Sequence, residues 1–330
     1  MLQRSTFGIL PNGQAVDVIP LRSATGLEMR AITYGCIIVS LASPDRDARA
    51  DNIVLGFDRL DRYVAASPYV GAVVGRYANR IAHARFSLDG RPYDLGVNEP
   101  PHHLHGGLSG FDTRLWDAKA AGHGSSVVFR RRSPDGEEGY PGNLDVQVTY
   151  TLTDRHALRV DYEAETDAPT HVNLTQHSYF NLRGVSAGPA GDVLDHRLSI
   201  DADMYLPISG ARIPTGELAP VAGTPFDFRE PTAIGARNGG QYDHNFVLNR
   251  AGPGATPAAR VVEPVTGRAM EVRTTEPGLQ LYAGSDHQGF CLETQHYPDS
   301  PNRPEFSSTL LRPGQRYSST TEFAFSVAGR

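Results

Sequence analysis

No apolar run in the 330 residues approaches the ~20 that a membrane-spanning helix needs. The first residues, Met1-Leu2-Gln3-Arg4-Ser5-Thr6, show no apolar h-region, so no secretory signal is visible. Only two cysteines are present, Cys36 and Cys291, too few for a disulfide framework. A reducing cytoplasm is the expected compartment. Positive charge is not in excess: the formal net charge is -6, which argues against nucleic acid as a partner. The one basic run, Arg130-Arg131-Arg132, is short, is followed by Asp135, Glu137 and Glu138, and reads as a solvated strand end. No Gly-rich loop follows a strand and opens a helix, which disfavours nucleotide binding. No serine sits in a nucleophile elbow, and Cys291 lacks a clear activating partner.

Turn formers are abundant instead. The chain has 34 glycines and 24 prolines, spread along its length and not gathered in a linker, which predicts many short strands. A turn at Pro11-Asn12-Gly13 divides two strands between Phe7 and Arg22, and Met29 to Leu41 reads as a strand pair bent at Gly35. Asn52 to Gly56 suits a short buried strand. Asp58 to Ala66 is a rare helix candidate, about two turns long. Arg85 to Leu95 is a hairpin about Asp89-Gly90. Val146, Val148, Tyr150 and Leu152 alternate with polar residues, and Leu158, Val160, Tyr162 and Ala164 do so again. That is a meander with one buried face. Leu198 and Ile200, and Phe246 and Leu248, repeat the pattern. Arg183 to Asp192 and Arg250 to Ala259 read as flexible loops. No repeat of fixed period and no composition step appears, so residues 1–330 are expected to form one all-β domain.

Several stretches have polar residues where chemistry would need them. In Cys291 to Asn302, a strand puts Cys291, Glu293 and Gln295 on one face and ends in Pro298-Asp299-Ser300-Pro301. A mid-strand carboxylate beside apolar neighbours is desolvated, which raises its pKa and strengthens it as a base. A salt-bridged or edge-strand Glu is the ordinary alternative. His171 to Leu182 also reads as one strand, with His171, Asn173, Thr175, His177, Tyr179 and Asn181 on a wholly polar face. This face is either a wet exterior or the lining of a polar cleft, with His177 as the titratable group. His102-His103-Leu104-His105-Gly106-Gly107 has a metal-like His-x-His spacing but no carboxylate a few residues on, so no metal is expected. His105, beside the glycines, is the best ligand contact, and His102 and His103 read as structural. Arg76, Asn79 and Arg80 offer donors for sugar hydroxyls, or mere surface salt bridges. Asp243 precedes an apolar strand, and Gln280 and Tyr282 share a strand face that suits a hydroxyl-rich ring.

Seven stretches, taken in order over nearly the whole chain, resemble the aldose 1-epimerase (galactose mutarotase) family. They are GRYANRI (75–81), FSLDG (86–90), HLHGG (103–107) with GFDTRLW (110–116), NLTQHSYFNL (173–182), DHNFVL (243–248), EPGLQLY (276–282) and CLETQHYPDSPN (291–302). The resemblance implies a large antiparallel β-sandwich with a sugar cleft. It implies His177 as general acid and Glu293 as general base. Asn79, Arg80, His105, Asp243 and Gln280 would be sugar contacts, with Tyr179 a further candidate on the His177 face. Ala82-His83-Ala84 and His296 depart from the family pattern and bear on which sugar fits.

These residue types suit the implied chemistry. Opening a cyclic hemiacetal removes the anomeric hydroxyl proton, here by Glu293, and protonates the ring oxygen, here by a protonated His177. Rotation about C1–C2 and reversal of the transfers give the other anomer. No metal, nucleotide or other cofactor is required. The expected partner is a neutral, unphosphorylated monosaccharide, and the chain is expected to be a monomer or homodimer. A glycoside hydrolase using Glu293 with Asp243 is the alternative enzyme, though it leaves His177 without a role. A non-catalytic sugar-binding protein on the same fold is the third reading.

Overall fold

The computed structural model describes residues 4–66, 69–121, 124–185, 192–284 and 286–329. Antiparallel strands joined by tight turns make up most of it. Leu60–Ala66 is the only α-helix among the described residues, close to the two turns expected. Three larger sheets carry the architecture, a large antiparallel β-sandwich. The first has five strands in chain order, from Ser5–Ile9 to Ala50–Asn52. The second has nine and is built on the meander Ser126–Ser133, Leu144–Thr153 and Ala157–Thr166, continued by Tyr317–Val327 and Arg268–Thr274. The third orders Ala219–Pro220, Met204–Tyr205, Asp243–Val247, Gly278–Tyr282 and Cys291–Gln295.

The period-two pattern explains how these sheets close. In Leu144–Thr153 the residues Leu144, Val146, Val148, Tyr150 and Leu152 are buried, and the residues between them are not. The main apolar core joins Ile19 and Leu41 of the first sheet to Val148 and Phe323 of the second and to Phe246, Leu279 and Leu292 of the third. Each such side chain contributes about 1.5–3 kcal/mol by leaving water. The hairpin strands Arg85–Leu88 and Arg91–Asp94 meet at Asp89 and Gly90, whose φ values of 49° and 76° are those of the tight turn read from Asp-Gly. The bend at Gly35 has φ 62°, and a Cβ there would stand 2.3 Å from the Asp112 carbonyl oxygen.

Three expectations are corrected. Residues 171–182 do not form one strand. They pair in two-residue steps with changing partners: Thr170–His171 with Leu310–Leu311, Asn173 with Tyr77, Thr175–Gln176 with Val73–Val74, and Phe180 with Val54 and Phe290. Both faces are buried, because the segment threads between sheets and its backbone takes whichever partner lies alongside. In the basic run, Arg131 turns inward. It forks onto Glu137 at 2.9 Å through two nitrogens and stacks 4.7 Å from the Phe111 ring centroid, while Arg130 is exposed. Strand alternation sends the middle residue to the other face. The loop read over Arg250 to Ala259 stops early, because strand Thr256–Val262 absorbs Pro257 at a register irregularity. Of the loop read over Arg183 to Asp192, residues 186–191 lie outside the described residues.

Candidate active site

Strand register in the third sheet assembles a polar face. Asp243 pairs with Tyr282 and Tyr282 with Cys291. Asn245 pairs with Gln280 and Gln280 with Glu293. Val247 pairs with Gly278 and Gly278 with Gln295. Residues directly opposite one another share a face, so Asp243, Asn245, Gln280, Glu293 and Gln295 look one way. Phe246, Leu279, Leu281 and Leu292 look the other, into the core.

Three other segments are brought against this face. The threading segment places His177, whose backbone bonds to Gly71 and Ala72. Its Nε2 lies 3.7 Å from Glu293 Oε1. A short ladder pairs His103 with Ile81 and Leu104 with Arg80, which sets His105 beside Asn79. The turn after Cys291–Gln295 fixes the Arg80 segment in turn. Tyr77 donates its hydroxyl to the Tyr297 carbonyl at 2.9 Å, the Asp299 N–H donates to the Arg80 carbonyl at 2.8 Å, and Asp299 Oδ1 accepts the Ala82 N–H at 2.9 Å.

All eight candidates are thus located. His177, Glu293, His105, Arg80, Asn79, Gln280 and Tyr179 are buried, and Asp243 is half-buried. Tyr179 stands 5.1 Å from the His177 ring and 6.1 Å from the Tyr282 ring. Gln280 Nε2 donates to Asp243 Oδ1 at 2.7 Å. Asn79 has φ 66° and its Oδ1 accepts the Arg80 N–H at 2.9 Å, so this oxygen shapes the local backbone. Gln280 Oε1, Glu293 Oε2 and both polar side-chain atoms of Asn245 and Gln295 are buried with no hydrogen-bond partner among the described residues. Buried polar atoms are rarely left so, and a face carrying several is built to meet a polar ligand or water.

Burial sets the protonation. Desolvation, reinforced by Asp243 and opposed by Arg80, pushes the Glu293 carboxyl up to about 8. Desolvation pushes His177 down to about 4. Burial thus favours the neutral form of each group, a protonated Glu293 beside an uncharged His177. The ring-opening step read from the sequence uses the other arrangement, a protonated His177 facing an ionised Glu293. The proton count and net charge of the two arrangements are the same, so one proton transfer within the pair converts one to the other.

His105, His177 and Glu293 offer ligand atoms within 4.8 Å of one another. A tetrahedral zinc with bonds of ~2.0–2.1 Å holds its ligand atoms only about 3.4 Å apart. The His105 Nδ1 accepts the Asn79 N–H at 3.1 Å, which leaves the hydrogen of the neutral ring on Nε2. As arranged, His105 presents an N–H at Nε2, a donor for an oxygen.

Glu99, Tyr69 and Arg212 lie at the site without having been singled out in the sequence, and Cys291 lies beside them. Glu99 forks onto Arg80, with Oε2 2.5 Å from Nε and Oε1 2.8 Å from Nη2. Tyr69 lies over the imidazoles, 4.6 Å from the His105 ring and 5.9 Å from the His177 ring. Arg212 reaches Asp243 and Glu99. Cys291 Sγ is 3.5 Å from His177 Nδ1, but burial holds this thiol well above its ordinary pKa, so it is no thiolate. Glu99 sits in a Pro-rich turn and Tyr69 beside Pro68, where local sequence marks only a loop.

Several polar residues are turned elsewhere. Arg76 is buried on the Ser133 hydroxyl and the carbonyls of Ser133, Pro134 and Pro141. Arg114 pairs with Glu137. His103 is bonded to Gly96 and Tyr140, and His102 accepts the His83 N–H. His296 bonds Glu276 at 2.6 Å, on the side away from Glu293. The glycine pair serves chain packing: a Cβ on Gly106 would be 1.8 Å from the Gly75 carbonyl oxygen.

Known proteins resemble this chain over nearly its whole length. The family model described as aldose 1-epimerase matches residues 17–324. The galactose mutarotase of Homo sapiens is 47% identical, with 98% of this chain and 98% of that protein aligned. The aldose 1-epimerase of Escherichia coli K12 is 37% identical over 97% of this chain and 98% of its own. Among solved structures, a GalM/aldose epimerase homologue from C. elegans superposes with a TM-score of 0.89 at 28% identity, covering 96% of this chain and 100% of that one. The galactose 1-epimerase of Lactobacillus acidophilus superposes at 0.86 with 27% identity and full coverage of both chains. With its motifs in order, its sheets in place and relatives of this similarity, the chain belongs to the aldose 1-epimerase family.

Proposed function

We infer that the protein interconverts the α and β anomers of a neutral aldose such as glucose or galactose by general acid–base ring opening and closure. The observation that carries this reading is the buried His177–Glu293 pair, 3.7 Å apart, with Glu293 Oε2 lacking a partner among the described residues. Ring opening needs one group that accepts a proton and one that gives a proton, on either side of a single anomeric centre. A pair holding one proton provides both. In the productive arrangement Glu293 is ionised and His177 carries the proton. Glu293 takes the anomeric hydroxyl proton while His177 protonates the ring oxygen. After rotation about C1–C2 the transfers reverse. Each group contributes roughly 10²–10⁴ in rate.

Arg80, Asp243, Gln280 and the His105 Nε2–H would hold the hydroxyls, with Tyr179 and Tyr282 against the ring. Asn79 would reach the sugar through its amide nitrogen, since its oxygen is committed to the backbone. A neutral substrate is supported by charge. Arg80 and Arg212 face Glu99 and Asp243, so each cation has an acid and no uncompensated positive charge awaits a phosphate. We read the whole chain as one working unit, because one core draws on all three sheets.

Polarimetry tests the reading. Freshly dissolved α-glucose or α-galactose should reach equilibrium rotation faster with the protein than in buffer. A disaccharide control would reveal a hydrolase by the release of monosaccharide. An unchanged relaxation rate across several aldoses would sink the reading.

A further inference from the structure

We propose that Arg212 is a substrate-binding residue, a second guanidinium that closes over the edge of the sugar remote from the anomeric centre. This rests on the mutarotase reading above. Arg212 lies in a tight hairpin. Ile208 bridges Pro214, the Arg212 N–H donates to the Ser209 carbonyl at 2.9 Å, and Arg212 itself has φ 59°. The turn lifts its side chain out over the mouth of the site, where it is 58% exposed.

Its surroundings differ from those of Arg80 in one respect. Arg80 is buried and its fork is spent on Glu99, at 2.5 and 2.8 Å, with Asp243 at 3.5 Å. Arg212 faces the same two acids but stands 3.9 Å from Glu99 Oε1 and 3.8 Å from Asp243 Oδ2. These distances are too long for hydrogen bonds. Its side chain makes none to any described residue, so charge alone draws it to the mouth and its five N–H donors are uncommitted. Held by two acids and bonded to neither, it can turn onto an intervening hydroxyl without breaking a bond.

Strand register says which hydroxyls those are. Asp243 lies two strands across from Glu293 and two residues along, which is ~11–12 Å between Cα atoms at ordinary strand geometry. That is wide enough for a pyranose ring between them. With the anomeric carbon at His177 and Glu293, the far edge of the ring meets Asp243, Arg80 and Arg212. Nothing in the sequence points to this arginine, since Ser209-Gly210-Ala211-Arg212 reads as a turn.

The test is mutarotation kinetics of wild-type protein and Arg212→Ala with D-glucose, D-galactose and their 4-deoxy and 6-deoxy derivatives. One hydrogen bond at a solvent-facing position corresponds to roughly a 3–10-fold rise in KM. We expect that rise with the parent sugars, a smaller change in kcat and an unchanged thermal midpoint. We expect the wild-type-to-variant ratio to collapse toward one for the deoxy sugar that lacks the contacted hydroxyl. An unchanged KM overturns the proposal. So does an equal loss with every sugar, which would mean that Arg212 acts only by setting Asp243 and Glu99. Absence of catalysis in the wild-type protein would instead overturn the mutarotase reading.

Discussion

At the scale of single residues, the proposed chemistry rests on one proton shared by Glu293 and His177. Glu293→Gln cannot accept a proton and His177→Asn cannot carry one. Each should lower kcat by about 10²–10⁴ with the fold retained, as followed by polarimetry and circular dichroism. If Glu293→Gln kept near wild-type turnover, the base would have to be another group. The pH dependence follows from the same pair. Below about 4 both groups are protonated and no base remains; above about 8 both are deprotonated and no acid remains. The profile of kcat/KM should be a bell with limbs near these values, and a single limb near 6.5 would contradict a shared-proton site. The limbs belong to the pair and not to either residue. Cys291, with its Sγ 3.5 Å from the His177 Nδ1, stays a neutral thiol across this range.

At the scale of elements, the site depends on short segments clamped by close contacts. His105 stands next to Gly106, which has φ 88° and touches the Gly75 carbonyl. Gly106→Ala should destabilise the protein by about 2–4 kcal/mol, through the clash and the left-handed backbone together. It should also lower activity more than global unfolding explains, because the crossing that seats His105 must open. Urea midpoints read the first effect and kcat in the folded range reads the second. A variant of wild-type stability would show that the crossing yields easily. The register of Asp243–Val247, Gly278–Tyr282 and Cys291–Gln295 has the same kind of importance. A one-residue slip would turn Glu293 into the core and Leu292 into the cleft.

At the scale of the whole molecule, many buried imidazoles tie stability to pH. His103, His171, His177 and His196 are each pushed down to about 4 by burial, and His105 falls well below its ordinary value. The unfolded chain protonates them as pH falls through ~6.5, while the folded protein does not. Their stabilisation is therefore whole above ~6.5 and is lost as pH falls toward 4. Two carboxyls act in the opposite sense. Glu293 is raised to about 8 and Asp112 to about 7, so folding retains protons that the unfolded chain releases above ~4.5, and stability falls as pH rises through that window. The balance puts maximum stability near neutral pH, with a net uptake of protons on unfolding at pH 5. Urea midpoints from pH 4.5 to 8.5 check this. A midpoint that rises steadily on acidification would contradict it.

Local sequence determined the strands, turns and residue types of this protein. Alternation over Leu144–Thr153 and the Asp89-Gly90 turn are short-range physics, and both appear where expected. Seven motifs in order also made the family and the His177 and Glu293 candidates legible before any fold was known. Tertiary structure decided the rest, because it depends on partners far away in the chain. Residues 171–182 carry a strand-like pattern, yet they thread between sheets and take a new partner every few residues. Arg76 and Arg80 look alike in sequence. Packing sends one into backbone carbonyls and gives the other to Glu99 and Asp243. Glu99, Tyr69 and Arg212 sit in turns whose composition says only that the chain reverses. The protonation of the proposed catalytic pair was also out of reach of sequence, because burial, not residue type, moves Glu293 above His177.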